Sequence, residues 1–355
     1  MSESFLQRHP ANPIIPVVPN TWRNYVTANV DILLWQDEWR LYFRGNHKDE
    51  NGVVHAAIGL LTCPFDEFDG VTWREYSGNP VTTPGEPGSI DDVGAIDPTI
   101  LVVDDKFLMY YTAVPAAREA PKGSAKSSRG RSWGHAVKSI ALAVSDDGLS
   151  FQRWGDEPIV PPFAAGPEMI CHDGQFWLFY AGYHERGGTD VYLLRSKDPY
   201  HFDHTQRQMV LTVGEPGSWE GKSVTTPRIF FDNDTWYMVY AGSDRHEDTP
   251  WHFGLAASRD LVHWIKYEDN PIFERGVEGD WDDCGIWYGT TIKVGGVYYM
   301  WYEGRSCGES QAVADARPGG RGRGGFSQIG LATMRSDTFF FEIPVSSAKR
   351  IGKTE

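Results

Sequence analysis

Residues 97–114 read Asp97-Pro-Thr-Ile-Leu-Val-Val-Asp-Asp-Lys-Phe-Leu-Met-Tyr-Tyr-Thr-Ala-Val: an apolar strand, an acidic turn, and a second strand rich in aromatics. The same pattern stands at four other places. They are Asp31-Ile-Leu-Leu-Trp with Trp39-Arg-Leu-Tyr-Phe-Arg, Gly166-Pro-Glu-Met-Ile with Phe176-Trp-Leu-Phe-Tyr, Thr226-Pro-Arg-Ile-Phe-Phe with Trp236-Tyr-Met-Val-Tyr, and Tyr288-Gly-Thr-Thr-Ile with Tyr298-Tyr-Met-Trp-Tyr. A third strand follows each hairpin, and its copies superpose: Ile58-Gly-Leu-Leu-Thr, Ile140-Ala-Leu-Ala-Val, Val191-Tyr-Leu-Leu-Arg, Phe253-Gly-Leu-Ala-Ala and Ile329-Gly-Leu-Ala-Thr. Asn79-Pro-Val, Glu157-Pro-Ile and Asn270-Pro-Ile then supply an outer strand, where proline's missing donor does no harm.

One such unit cannot cover its own faces, so a period of roughly 60 to 70 residues recurring five times predicts radially packed sheets. The expected fold is all-β: a single five-bladed β-propeller with four-stranded antiparallel blades around a central axis, occupying residues 1–355. The blades fall near 29–82, 97–161, 166–212, 226–274 and 288–345. Asn12-Pro-Ile-Ile-Pro precedes the first unit and is expected to join the outer edge of the fifth, closing the ring.

A chain of this length buries roughly three quarters of its unfolded surface, so it needs no covalent staples. The four cysteines, Cys63, Cys171, Cys284 and Cys307, have neither metal-ligand nor compact disulfide spacing, and read as reduced structural thiols. The 11 histidines form no ligand-spaced cluster, so no metal or cofactor is expected, an axial ion being left open. No apolar run reaches signal-peptide or membrane-span length, which predicts a cytoplasmic protein with no membrane partner. A formal charge of −15 repels phosphate backbones and argues against nucleic acid. Oligomeric state is not fixed by these features.

Strand alternation decides which residues look into the axis. It places Asn29, Asp97, Gly166, Thr226 and Tyr288 in one ring and Asp31, Thr99, Glu168, Arg228 and Thr290 in the next. The following ring, Leu33, Leu101, Ile170, Phe230 and Ile292, is apolar, so the polar rings mark a mouth and the apolar ring a plugged interior. Asp31, Asp97 and Glu168 are then expected to converge at that mouth. Like charges at one place raise one another's pKa, which suits proton traffic: cleaving a glycosidic bond needs one carboxylic acid and one carboxylate, and a third can set their pKa values apart. Arg44, Arg228, Trp287, Tyr288 and Glu303 are candidate sugar-binding residues. Asp91, Asp92, Asp282 and Asp283 read as turn-formers. Two long connections, Pro115 to Val137 with Arg118, Lys122, Lys126, Arg129 and Arg131, and Arg305 to Phe326 with Arg317, Arg321 and Arg323, read as basic loops over the pocket.

Asp97-Pro-Thr-Ile with Tyr110-Tyr-Thr, Ser145-Asp-Asp-Gly-Leu-Ser-Phe, Gly166-Pro-Glu and Leu41-Tyr-Phe-Arg resemble the five-bladed propeller glycosidases. That group includes glycoside hydrolase families 43, 32, 62, 68, 117 and 130, and the resemblance spans essentially the whole chain. It implies an Asp base or nucleophile from the first blade, an orienting Asp from the second and a Glu acid from the third, hence Asp31, Asp97 and Glu168. Two positions differ from the family 43 pattern: Asn29 stands where the first Asp precedes Pro, and Glu168 follows Pro167 rather than preceding Gly-Pro. The expected activity is hydrolysis of a short oligosaccharide. The alternatives are phosphorolysis, as in family 130, and a non-catalytic carbohydrate-binding propeller.

Overall fold

The structure is a computed structural model that describes residues 6–50, 52–116, 137–183, 188–244, 250–307 and 326–338. It is built from antiparallel sheet units. The first contains Val26–Trp35, Glu38–Lys48, Val54–Pro64 and Arg74–Glu75. The second contains Gly94–Val103, Lys106–Val114, Ser139–Ser145 and Gln152–Arg153. A parallel pairing of Ala56 with Gly94 links these two. The third runs Ala164–His172, Gln175–Tyr183, Thr189–Ser196 and Gln208–Leu211, and the fourth Ser223–Asp232, Thr235–Ser243, His252–Ser258 and Ile265–Lys266. In the fifth, Gly285–Val294, Val297–Arg305 and Ser327–Arg335 are joined by Gln7–Arg8 from the other end of the chain. The basic segments of both long connections, with Arg118, Lys122, Lys126, Arg129, Arg131, Arg317, Arg321 and Arg323, lie outside the described residues, as does the fifth unit beyond 338.

Local chemistry explains the repetition. The first hairpins turn through Asp104-Asp105, Asp173-Gly174, Asn233-Asp234 and Gly295-Gly296, every residue at positive φ, the geometry that matches the twist of two-residue hairpins. The Asn-Pro elements act through the Asn amide. Asn79 accepts from the Leu60 N–H at 2.8 Å and donates to the Leu60 carbonyl at 2.9 Å. Asn270 does the same to Leu255, and Asn12 to Leu331. The N-terminal segment thus does for the fifth unit what an internal segment does for the first and fourth, and Ile15 adds a bridge to Ile329.

The glycine of the Ile-Gly-Leu strands has a packing cause. A Cβ on Gly59 would lie 2.4 Å from the Trp22 ring, and one on Gly330 2.5 Å from Trp281. The second unit has Ala141 at this place and Ile90 in place of the indole. Next to these side chains an ion pair ties the loop before the inner strand to the fourth strand in units one, two, four and five. The pairs are Arg23–Glu75 at 2.8 Å, Asp91–Arg153 at 2.5 Å, Glu220–Lys266 at 2.7 Å and Asp282–Arg8 at 2.9 Å. Asp91 and Asp282 therefore do more than form turns: both are buried, and they also accept from the Tyr111 and Tyr302 hydroxyls. Asp92 and Asp283 bind loop backbone N–H groups.

Five large apolar clusters hold the units together, each shared by two successive units. The last joins Trp301, Ile329 and Leu331 of unit five to Val30, Leu41 and Phe43 of unit one, with Ile15 from the N-terminal segment. Leu33, Leu101, Ile170, Phe230 and Ile292 each pack partly buried against a different cluster. Packing of this kind, unit on unit, is the main source of stability in repeated sheets.

Candidate active site

Each inner strand carries a bulge at the same point. Pairing jumps between Ala28 and Val30, Ile96 and Thr99, Ala165 and Glu168, Thr225 and Arg228, and Trp287 and Thr290. The residue at the bulge lies in the left-handed region every time: Asn29 at φ 49°, Asp97 at 59°, Gly166 at 61°, Thr226 at 48° and Tyr288 at 57°. Asn and Gly adopt this region readily, whereas Thr and Tyr do so at a cost of about 1–3 kcal/mol each, which the surrounding structure must hold in place. An extra residue per strand bends the backbone and re-aims side chains. Here the five bulge residues line one cavity of about 110 Å³.

Two acidic residues line that cavity among the described residues, Asp97 and Glu303. Both residues are buried, at 4% and 3% exposure. Glu303 stands near the end of the second strand of unit five, opposite Trp287. Its Oε2 accepts from Asn29 Nδ2 at 3.0 Å, and its Oε1 lies 3.7 Å from Arg305 Nη2. Arg44 donates through Nη1 to Asn29 Oδ1 at 3.1 Å and through Nε to Asn46 at 2.8 Å. Burial pushes the Glu303 carboxyl above its ordinary value. The Arg305 and Arg44 guanidinium groups and the Ser327 hydroxyl oppose that shift, and the Asp97 charge adds to it. Arg305 also stacks on the Trp287 ring, 4.7 Å from its centroid, and Lys138, Tyr183 and Thr226 complete the wall.

The residues two positions further along each inner strand have different partners. Asp31 Oδ2 accepts from the Ile100 N–H at 2.6 Å, Thr99 Oγ1 from Met169 at 3.3 Å, and Glu168 Oε1 from Ile229 at 2.9 Å, while Thr290 donates to the Val30 carbonyl at 2.6 Å. Each of these side chains fastens its own unit to the next. Arg228, 1% exposed, donates to Glu168 Oε2 at 2.6 Å and to the Pro98 carbonyl at 3.2 Å, beneath the Tyr288 ring. Burial lifts the Asp31 carboxyl to about 7, with Arg228 pulling it down and Glu168 pushing it up. Glu168 is raised by burial too, against Arg228 and the Ile229 N–H.

The three expected carboxylates are thus divided. Asp97 lines the cavity, and Glu303, Arg44, Trp287 and Tyr288 line it with it. Asp31 and Glu168 sit with Arg228 in the belt and are not among the cavity's lining residues. Alternation counts residues along a regular strand, and the bulge between the two rings separates what that count brought together. Sequence reasoning put Asn29 in the mouth ring without seeing its bond to Glu303, and it passed over Lys138, just before the third strand of unit two, and Tyr183 and Arg305, which end the second strands of units three and five. Among the described residues no group of three or more His, Cys, Asp or Glu is placed to hold a metal ion. No helix among them is long and apolar enough to cross a membrane.

No protein-family model matches the chain. An uncharacterized protein of Mycobacterium tuberculosis is 24% identical over 302 residues, covering 81% of this chain and 91% of that protein. Among solved structures, the chain is similar to a β-1,2-mannobiose phosphorylase from Listeria innocua (TM-score 0.66, 14% identity, 94% and 97% of the two chains). It is similar as well to an N-acetylgalactosamine deacetylase from F. plautii bound to a blood group B trisaccharide (0.67, 14%, 94% and 96%). A third is a family 130 structure, from a group described as mannoside phosphorylases that contains hydrolases of β-1,2-mannosidic linkages in Candida mannan (0.65, 15%, 96% of each chain). The resemblance of the chain to the five-bladed propeller glycosidases therefore holds at the level of the fold.

Proposed function

We propose that the units form a closed five-bladed β-propeller whose axial cavity binds a sugar and cleaves its glycosidic bond. The observation that carries this reading is that two buried acidic residues, Asp97 and Glu303, line one small cavity. One must donate a proton to the leaving oxygen and the other must accept one from the attacking water. Glu303, whose protonated form burial favours, suits the donor. Asn29 orients it, and Arg44 orients Asn29. Asp31 and Glu168 take a supporting part, holding the inner strands in register through the Ile100 and Ile229 N–H groups.

A second reading has its own observation. Arg44, Lys138 and Arg305 line the cavity of a chain whose formal charge is −15, and such a cluster attracts an anion. Inorganic phosphate would then replace water as the nucleophile, and only the proton donor would be required of the protein. Mannosides are the first substrates to try, because two of the fold neighbours act on β-1,2-mannosides. The test is a panel of mannosides and other oligosaccharides, with and without phosphate. Product formation by the wild type, lost in Asp97→Asn and Glu303→Gln while sugar affinity is kept, supports the assignment. Full turnover in both variants, with loss in Asp31→Asn or Glu168→Gln, would move the chemistry to the belt.

A further inference from the structure

We propose that Phe163 and Tyr183 form an aromatic platform beside the cavity that holds a second sugar ring of the substrate; this rests on the reading of the cavity as a sugar site. Phe163 is 63% exposed and adopts φ 77°, a conformation disfavoured for a bulky side chain. Its backbone is fixed on both sides: the N–H donates to the Lys138 carbonyl at 2.9 Å, and the carbonyl accepts from the Tyr183 N–H at 3.0 Å. Lys138 and Tyr183 both line the cavity, so this fixing sets Phe163 at its rim. Tyr183 is itself 39% exposed.

Neither the backbone conformation nor the exposure helps the fold. The phenyl ring belongs to none of the apolar clusters and, among the described residues, enters no aromatic pair. Two exposed aromatic side chains, one lining a cavity and the other joined to it through the backbone, mark a binding surface. Its occupant follows from size and chemistry. The cavity of about 110 Å³ is well under the roughly 300 Å³ at which sites for drug-sized ligands begin, so it takes one ring of an oligosaccharide and leaves the next outside. A pyranose presents a face of C–H groups to an aromatic ring and hydroxyls at its edge, and a tyrosine offers both an apolar body and a polar tip.

The experiment is calorimetric titration of the full chain with mannose and with β-1,2-mannobiose. Phe163→Ala is compared with Phe163→Gly, which suits the left-handed backbone and removes the ring without strain. Both variants are expected to bind the disaccharide about ten-fold more weakly, about 1.4 kcal/mol, with mannose affinity within about two-fold of wild type, and Phe163→Trp to restore the disaccharide. Unchanged disaccharide affinity in Phe163→Gly overturns the platform, and so does equal weakening toward both sugars, since the ring then acts on the cavity. A wild type that binds neither sugar overturns the mannoside reading and the platform with it. A wild type that binds both, with no difference in the variants, sinks the platform alone.

Discussion

Replacing Asp31 by Asn is expected to change the pH dependence of stability more than stability itself. In the folded chain burial lifts this carboxyl from 3.8 to about 7. Between those values the folded state keeps a proton that the unfolded state has released. Stability from this group is therefore complete below about pH 4 and is lost as pH rises toward 7, at about 1.4 kcal/mol per pH unit. The whole window amounts to about 4 kcal/mol as a ceiling. Asp31 retains some accessible surface, so water reaching the carboxyl reduces that figure. Asn keeps an acceptor for the Ile100 N–H and has no proton to lose. Equilibrium urea unfolding, followed by tryptophan fluorescence from pH 5 to pH 8, measures the difference. The wild type should lose stability across that range faster than Asp31→Asn, and the variant should match or exceed it at pH 8. Glu303 is raised as well and remains in both proteins, whereas Glu168 interacts with Asp31, so the difference between the curves reports Asp31 together with its effect on Glu168. Parallel curves would refute the claim that the belt holds a proton on this residue near neutrality.

Three further outcomes are expected. Asn12→Ala removes both bonds to Leu331 and should cost about 1–3 kcal/mol, while deletion through Pro16 also removes the Arg8–Asp282 pair and should lower the Tm sharply; an unchanged Tm would show that unit five needs no N-terminal strand. Gly59→Ala forces a methyl group against Trp22 and should cost about 1–3 kcal/mol by denaturant titration, whereas Ala141→Gly, where no indole intrudes, should cost less. In Glu303→Gln, kcat should fall by about 10²–10⁴ and the pH–rate profile should lose a limb lying above 4.5, because burial raises this carboxyl; a limb that survives belongs to another group.

Much of the architecture was legible because it depends on short-range chemistry repeated five times. Asp104-Asp105 and Gly295-Gly296 announce their turns, the Ile-Gly-Leu strands announce their register, and Asn12-Pro resembles Asn79-Pro and Asn270-Pro closely enough to place the N-terminal segment beside unit five. The bulge was not legible. Asn29, Asp97 and Gly166 are residue types that tolerate positive φ, but nothing about Thr226 or Tyr288 announces it. Those residues are held there by the strands on either side, a tertiary effect that no local propensity carries. Glu303 was legible as a candidate sugar-binding residue near the mouth, but its bond to Asn29, which spans 274 positions of sequence, was not.

One structural rule accounts for Asp97, Asp31 and Glu168, which all stand on inner strands. A side chain at the bulge looks into the cavity, and one two positions later meets the backbone of the neighbouring unit. Asp97 occupies the first kind of place, and Asp31 and Glu168 the second. Burying two carboxylates beside one guanidinium leaves an uncompensated negative charge, and a proton on Asp31 is the least costly way to remove it. Arg228 carries the opposing charge beside them, and Tyr288 covers it from the cavity side. The belt thus meets its electrostatic demands with its own residues. Asp97 and Glu303 remain to meet theirs at a cavity where a ligand can take part, which is why the chemistry is assigned to them.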